Sequence, residues 1–394
     1  MSPTPFTVAF VLAIGLLSVA PRAVAGLPEA RSAFAKGDFA TARLELEPLA
    51  RKGNPEAMNT LALMLEKGMG TPQNLPQAIQ WYRQAANKGD AEAQSNLGVK
   101  YARGQGLTKD LAESLKWFRL SAQQNHPAGS YNLGLAFEMG SGVEPDMEQA
   151  LKWYGLAAQQ GSVEAPTSLG LLYERGVGVK QDLVEAAKWY RLAADRGSPV
   201  AQNYLGLMYE DGAGVPKDPQ AAYKWYRLAA EQGYAAAQIN LGAAYVNGVG
   251  IAVNPQEAFA WYQRAAEQGD VNGQYNVAVA YVRGFGVAHD PKEAAKWYRL
   301  AAENGHASAQ NNLGGLYASG RGVDANRAIA YALYSVSAMS DPARENKAVA
   351  NRNGLASAMP PVELEQARAL VRDMLKPGNL LKALDAFAEK PLAH

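Results

Sequence analysis

The sequence of 394 residues contains no cysteine and only four histidines. Without cysteine the fold has no disulfide framework and must be held together by packing. His126 and His306 occupy equivalent positions far apart in the chain, His289 lies in a loop, and His394 is the last residue. This arrangement offers neither metal-ligand spacing nor a Ser-His-Asp or Cys-His set. We therefore predict no catalytic residue, no metal and no cofactor.

An excess of one charge is also missing. Lys and Arg total 38 against 37 for Asp and Glu. Proteins that bind nucleic acids or anionic membranes through charge need a strong local excess of Lys and Arg. The balance therefore argues against nucleic acid and against a polybasic membrane contact.

Long apolar runs are confined to the N-terminus. Residues 6–20 form an apolar run, and Ala23-Val24-Ala25 follows as a small-x-small cleavage pattern. This predicts a secretory signal peptide over 1–25, although no Lys or Arg precedes the run. The alternative is an uncleaved anchor, which is disfavoured because a membrane span needs about 20 apolar residues. We expect a bacterial protein of the periplasm or the exterior, with no integral membrane segment after cleavage.

The sequence does have a clear period. The nine letters AAKWYRLAA begin at Ala186 and again at Ala294. A fixed period of this length is the signature of a repeat array, which grows without a single enclosed core. All seven tryptophans follow it, 36 residues apart, at Trp81, Trp117, Trp153, Trp189, Trp225, Trp261 and Trp297.

The first half of each repeat has the pattern of an amphipathic helix, as in AQNYLGLMYE from Ala201 to Glu210. A small residue recurs inside it. Because Gly within a helix costs roughly 1 kcal/mol relative to Ala, its recurrence predicts that another helix crosses there at close range. The recurring small residues are Gly98, Gly134, Gly170, Gly206, Gly242, Ala278 and Gly314.

The second half of each repeat begins with a helix-capping residue. A side-chain oxygen at this position can accept hydrogen bonds from the first amides of a helix. Glu or Gln follows three residues later in six of the eight repeats, which predicts a reciprocal capping box. The predicted caps are Asn74, Asp110, Asp146, Asp182, Asp218, Asn254, Asp290 and Asn326.

A Gly-x-Gly motif joins the two halves of every repeat, from Gly68 and Gly70 to Gly320 and Gly322. A phosphate-binding loop would need a strand before it and a helix N-terminus aimed at the ligand. Here a helix precedes the motif, so we predict a helix-ending turn with positive φ. The turn that closes each of the first seven repeats ends in Gly or, once, in Asn125, a residue type that tolerates the left-handed conformation, whereas the eighth has Asp341 there.

The aromatic pair in the second helix is predicted to form the core. In AAYKWYRLAA, Ala222, Trp225 or Tyr226, and Ala229 share one face. This places the Trp ring between the two helices of a pair. A stacking platform for bases or sugars would instead expose the rings along one side.

The unit AQNYLGLMYEDGAGVPKDPQAAYKWYRLAAEQG and its seven sister repeats resemble the Sel1-like repeat family, whose units are related to tetratricopeptide repeats. The resemblance implies an all-α fold, a right-handed α-solenoid of about eight 36-residue helix-turn-helix repeats with helical caps. We expect an N-terminal capping helix pair over 26–53, eight repeats over 54–341, and a C-terminal helical cap and tail over 342–394. Helices are predicted near 342–359 and 362–375, and the segment after 377 is expected to be partly disordered.

In related tetratricopeptide arrays, one side of the first helices lines a concave groove in which peptides and partner proteins dock. The matching positions of this chain vary between repeats, as a recognition surface would. Three successive repeats carry a row of Glu there, and the later repeats are more apolar. The predicted protein-binding groove residues are Arg103, Tyr131, Glu138, Glu174, Arg175, Asn203, Glu210, Ile239, Tyr275 and Arg283.

The resemblance implies an exported, non-enzymatic scaffold or adaptor for a partner protein, in envelope assembly, signalling regulation, or host or toxin contact. One alternative is a solvated face without a partner. A second is acid–base catalysis by the Glu row, disfavoured because no carboxylate of the row is singled out. A third is a β-lactam-binding or hydrolysing enzyme, as among cysteine-rich members of the family. Those members are held by disulfides, which this chain cannot form.

Overall fold

The computed structural model describes residues 26–340 and 347–389, in which every regular element is an α-helix. The predicted signal peptide over 1–25 lies outside the described residues, as does the start of the predicted helix near 342–359. Among the helices described, none is long and apolar enough to cross a membrane. The chain divides after Ser198 into two compact units, which are described separately below.

The first unit contains a short helix pair followed by four repeats. Each helix from α1 to α10 packs against the next one along the chain. The helices are α1 (Leu27–Ala35), α2 (Phe39–Arg51), α3 (Pro55–Lys67), α4 (Leu75–Asn87), α5 (Ala91–Arg103), α6 (Leu111–Gln123), α7 (Pro127–Met139), α8 (Met147–Gln159), α9 (Glu164–Arg175) and α10 (Leu183–Asp195).

The second unit contains four repeats followed by three further helices. Its repeats are α11 (Pro199–Asp211), α12 (Pro219–Glu231), α13 (Ala235–Asn247), α14 (Pro255–Glu267), α15 (Val271–Arg283), α16 (Pro291–Glu303), α17 (Ala307–Ser319) and α18 (Arg327–Ser340). The helices α19 (Lys347–Ala358) and α20 (Pro361–Met374) both pack on α18. Within each unit the described residues thus form paired α-helices that pack on the next pair, as the period predicted.

A last helix, α21 (Leu380–Ala388), lies in the segment that was expected to be partly disordered. It packs on α16 and α20, and Leu384 is completely buried. Arg299 on α16 pairs with Asp385 at 2.5 Å, and Glu303 accepts the backbone N–H of Leu381 at 2.8 Å. Its apolar side is therefore covered, which is why this short helix belongs to the folded end.

The predicted close crossing at the small residue of the first helix is confirmed. A Cβ added to Gly206 would lie 2.6 Å from ring atoms of Tyr226. Carbon atoms in contact normally stay about 3.5–4.0 Å apart, so a methyl group at position 206 would force the Tyr226 ring to shift. The ring of the second helix therefore lies directly on the backbone of the first.

That ring is Tyr and not Trp, which corrects the prediction for the second helix. Tyr226 is 0% exposed, whereas Trp225 is only partly buried. Trp261 packs against Ala222, Ala229 and other residues of the preceding repeat. Neighbouring residues on a helix point about 100° apart, so only one of the two aromatic columns can enter the pair. The Tyr ring therefore packs between the two helices of a pair, and the Trp ring contributes to packing between repeats.

The predicted capping side chains are confirmed at the starts of the second helices. Asp146, for example, accepts the N–H of Gln149 at 3.0 Å. The reciprocal half of the capping box is wrong, because the N–H of Asp146 donates to the backbone carbonyl of Phe137 at 2.9 Å. Equivalent backbone bonds close all eight loops. The Glu three residues after the cap is free to form an ion pair with a Lys further along the same helix, as Glu185 does with Lys188 at 2.8 Å.

The positive φ predicted for the Gly-x-Gly loops and for Asn125 is confirmed, with φ of 57° at Asn125. The second Gly of the loop also makes a close contact. A Cβ on Gly286 would lie 1.9 Å from the carbonyl oxygen of Pro255, at the start of the second helix of the preceding repeat. The loops at Gly142, Gly250, Gly286 and Gly322 thus pack on the backbone of the preceding repeat, whereas Gly106 and Gly178 meet the side chains of Leu75 and Met147.

Candidate functional site

The positions two and three residues before the close-crossing residue connect the first helices of successive repeats. Asn132 donates to Ser95 at 3.1 Å, and the hydroxyls of Tyr131 and Ser168 are 3.3 Å apart. In the second unit Asn240 donates to Asn203 at 2.8 Å. The predicted groove residues Tyr131 and Asn203 are only 8% and 5% exposed. Their side chains therefore take part in hydrogen bonds between successive repeats.

The Glu row has a defined structural partner. Glu174 accepts from the hydroxyl of Tyr190 at 2.5 Å, and Glu210 accepts from Tyr226 at 2.7 Å. Glu138 accepts from Tyr154 in the same way. Each carboxylate accepts from the hydroxyl of the buried tyrosine of its own repeat, which lies 16 residues further along the chain. Three of the predicted groove residues thus satisfy buried tyrosine hydroxyls.

Burial and the adjacent carboxylate both favour the neutral phenol. The pKa of Tyr154 lies well above its ordinary value because the ring is buried and Glu138 is close. The pKa of Tyr226 is raised for the same reasons, burial first and Glu210 second. These tyrosines stay protonated at physiological pH and donate to the acids.

The remaining predicted groove residues lie nearer the surface. Arg103, Arg175 and Arg283 are exposed at the ends of α5, α9 and α15. Ile239 on α13 and Tyr275 on α15 are partly exposed. Within the second unit, Ile239, Tyr275 and Arg283 therefore remain on a face that a partner could reach.

The last three repeats keep the buried tyrosine and lose its carboxylate. The tyrosines are Tyr262, Tyr298 and Tyr334, and the matching acid positions hold Val246, Val282 and Ala318. The repeat of α5 and α6 shows the converse change, because Phe118 has no hydroxyl and Ala102 replaces its acid. The Tyr298 hydroxyl accepts instead from Asn312 at 3.1 Å. Burial raises the pKa of Tyr298 to about 12, so this hydroxyl also stays protonated.

A cleft of about 280 Å³ opens where the carboxylate is missing, and we call it the C-terminal cleft. Helices α15 to α19 supply its lining. Its apolar lining is Val279, Val282, Gly315 and Leu316. Its polar and aromatic lining is Tyr275, Arg283, Tyr298, Asn311, Asn312, Arg321, Tyr334 and Asn351. Two predicted groove residues, Tyr275 and Arg283, thus lie in one cleft.

A second missing side chain contributes to the space. Gly315 occupies a position that holds Leu or Val in most other repeats, such as Leu171 and Leu207. A Cβ on Gly315 would meet only the Tyr334 hydroxyl, at 3.7 Å. Two positions of the cleft lining, 282 and 315, thus carry smaller side chains than most of their counterparts in other repeats.

The aromatic wall of the cleft is held in place. The Tyr275 ring stacks on the His306 ring with centroids 4.4 Å apart and planes 14° apart. His306 is fixed in turn, because its Nδ1 accepts the N–H of Ala309 at 3.1 Å and caps α17. Tyr275 is therefore presented without a need to reorganise on binding.

Two other cavities carry mixed charge. One of about 480 Å³ lies against α12, α13 and α14 and contains Arg227, Glu231 and Glu257. Another, of about 240 Å³, is in the first unit beside Arg43 and Glu47. Across the described ranges no group of three or more His, Asp and Glu side chains could hold a metal ion.

Sequence reasoning missed Tyr298, Asn312, Gly315 and Arg321 as site residues. Their signal lies in departures from the repeat, namely Val282 in an acid position and Gly315 in a Leu position. Such departures indicate a site only when it is known which repeat positions lie next to one another in the folded structure.

Comparison with known proteins identifies the repeat. The model of the Sel1 repeat matches eight stretches, at residues 55–90, 91–126, 127–162, 164–198, 199–234, 235–270, 271–306 and 307–342. None of the curated proteins matches the chain.

Solved structures with the same repeat are similar to this chain. A Sel1 repeat protein from Oxalobacter formigenes is 34% identical over 61% of this chain and 99% of that chain, with a TM-score of 0.58. A protective antigen of uropathogenic Escherichia coli that displays an SLR fold is 30% identical over 94% of this chain and 95% of that one, with a TM-score of 0.44. An immunity protein of Pseudomonas aeruginosa is 20% identical over 54% of this chain and 81% of that one, with a TM-score of 0.37.

Proposed function

The chain belongs to the Sel1 repeat family, and we propose that it is a non-enzymatic scaffold that docks a partner protein on the first-helix face of its second unit. The repeat is that of a protein-interaction scaffold. The observation that carries the choice of face is the C-terminal cleft, where the partly exposed Tyr275 adjoins apolar side chains and Arg283. Aromatic and Arg side chains beside an apolar pocket are the usual anchors of protein interfaces.

Crosslinking inside cells tests both the function and the face. A photo-crosslinking residue in place of Val279 would lie in the C-terminal cleft. The same residue in place of Val184, which is 55% exposed on α10, serves as the control. We expect a protein to be captured from position 279 and not from position 184.

A second variant checks that capture depends on the cleft. Tyr275→Ala, combined with the crosslinker at 279, should lower the yield while circular dichroism shows an unchanged melting curve. Equal capture from both crosslinking positions would place docking elsewhere. Capture from neither position would argue against a scaffold and favour a solvated face without a partner.

We also propose export through residues 1–25 to the periplasm or the exterior. The apolar run of 6–20 and Ala23-Val24-Ala25 support this proposal. Cell fractionation of the full chain and of a chain without 1–25 is the test, together with the N-terminal sequence of the mature protein. An intact N-terminus on a membrane-bound product would instead indicate an anchor.

A further inference from the structure

The positive charges of the C-terminal cleft are uncompensated. Neither Arg283 nor Arg321 forms an ion pair with any described residue, and Arg321 donates only to the Ser319 hydroxyl at 3.2 Å. Other arginines of the second unit do find acids, as Arg299 does with Asp385 and Arg327 with Glu363. No Asp or Glu is among the residues that line the cleft. The cleft therefore offers guanidinium groups that have no carboxylate partner among the described residues.

The phenol of the cleft also has a hydrogen to donate. Tyr298 accepts from Asn312, and no described residue accepts the proton of its hydroxyl. In four other repeats the same hydroxyl donates to a Glu of its own repeat, as Tyr226 does to Glu210. At Tyr298 that Glu is replaced by Val282. The repeat retains the donor and lacks the carboxylate.

We propose that the C-terminal cleft binds the carboxylate of an Asp or Glu side chain from an extended segment of the partner protein, at the place that the repeat's own Glu fills elsewhere. The visiting carboxylate would accept from Tyr298 and pair with Arg283 or Arg321. This inference rests on the proposed function and names the chemistry of the docked segment.

An acidic side chain within a chain fits the cleft better than a small free acid does. Val279, Val282 and Leu316 form an apolar wall beside the donors. The methylene groups of a Glu and the apolar neighbours of a peptide would cover that wall, which a lone carboxylate would leave in water. Asn351 donates to Asn311 at 3.0 Å and Asn311 donates to Asn312 at 3.2 Å, and the second N–H of each amide can bond the peptide backbone that carries the acid.

The test uses short fluorescent peptides with both ends blocked, in a pool that has one central Glu flanked by Leu, Val and Ser. Matched pools carry Gln in place of Glu, or Gln with a free C-terminal carboxylate. Fluorescence anisotropy with the purified chain gives the affinities. We expect the Glu pool to bind about tenfold or more tightly than the blocked Gln pool, because a bond to a charged group is lost.

The decisive variant restores the missing acid. Val282→Glu places a carboxylate beside Tyr298 and should compete with the peptide, so that affinity falls about tenfold. Val246→Glu is the matched control, since it adds the same charge at the same position of the preceding repeat and lies outside the cleft. We expect Val246→Glu to bind like the parent. Arg283→Gln should weaken binding of the Glu pool and leave weak binding of the Gln pool unchanged.

Several outcomes would overturn the proposal. Equal affinity for the blocked Glu and Gln pools would mean that carboxylates are not recognised. Preference for the free C-terminus would assign the cleft to a chain end. Equal weakening by Val282→Glu and Val246→Glu would indicate general charge repulsion, and no binding of any pool would also count against it. Capture from position 279 would still support the scaffold in each case, so failure of the inference can be told from failure of the proposed function.

Discussion

Repeats with a Glu at the end of the first helix and repeats without one use the same buried tyrosine differently. In the repeat of α11 and α12, Tyr226 is 0% exposed and its hydroxyl is held by Glu210. In the repeat of α15 and α16, Tyr298 is 2% exposed, Val282 replaces the acid, and the C-terminal cleft opens beside the ring. The comparison shows how one substitution can turn a structural hydrogen bond into a vacant donor without loss of the packing around it.

The largest expected effect concerns Glu66, the most buried of the four Glu residues that accept from a tyrosine of their own repeat. It accepts from Tyr82 at 3.0 Å and pairs with Lys100 at 2.7 Å, and Lys100 is 1% exposed. Burial lowers the pKa of Lys100 despite the adjacent acid. Lys100→Met should reduce the free energy of unfolding by about 3 kcal/mol, because the buried Glu66 loses its close cation and keeps only the more exposed Lys67, at 3.6 Å.

A double variant separates the ion pair from packing. Met occupies the position of Lys100 in two other repeats, at Met64 and Met208, so its shape is suited to the site. Glu66→Gln combined with Lys100→Met should recover most of the stability, as measured by urea unfolding. A single Lys100→Met variant as stable as the parent would show that the pair is not buried as described.

An intermediate effect distinguishes two adjacent glycines of α17. A Cβ on Gly314 would lie 2.9 Å from the Tyr334 ring, whereas one on Gly315 meets only the hydroxyl at 3.7 Å. Gly314→Ala should therefore destabilise by about 1–3 kcal/mol through overpacking. Gly315→Ala should stabilise by up to about 1 kcal/mol, because Ala favours the helix and the cleft has room for a methyl group.

Thermal unfolding of the two variants measures this difference, and each serves as the other's control. Destabilisation by both substitutions to the same extent would mean that the space at Gly315 is closed. The preference for Gly at 315 would then be structural and would have no connection with the cleft.

Much of the architecture follows from local chemistry and could be predicted. The caps of the second helices and the positive φ of Asn125 depend on residues close in sequence, and the close crossing at Gly206 is marked by its recurrence. The choice between Trp225 and Tyr226 for the core could not be settled, because a small rotation of the helix exchanges them. The helix α21 was missed because its stability comes from α16, 86 residues earlier at the Arg299–Asp385 pair.

The candidate site was only partly predictable for a related reason. Tyr275 and Arg283 were among the predicted groove residues because they lie on the variable side of a first helix. The Glu row was assigned to the groove because the pattern of the first helix alone does not show which residues of the second helix it contacts. The tyrosines that donate to these Glu residues lie on the second helix. The cleft is lined by the small residues Val282 and Gly315. Their small size indicates a cleft only when the residues around them in space are known.

The smallest expected effect tests the comparison itself. Tyr226→Phe removes the donor to Glu210 and should reduce the free energy of unfolding by about 1 kcal/mol, since the carboxylate is partly exposed and can regain water. Tyr262→Phe removes a hydroxyl in a repeat whose acid position holds Val246, so its effect should stay within about 0.5 kcal/mol. The pair Tyr226→Phe with Glu210→Ala copies the natural combination of Phe118 and Ala102 and should cost little more than Tyr226→Phe alone. Urea unfolding of the three variants and the parent measures these differences. Equal losses from the two Tyr→Phe substitutions would mean that the carboxylate adds nothing to the buried phenol, and the two classes of repeat would then be energetically the same.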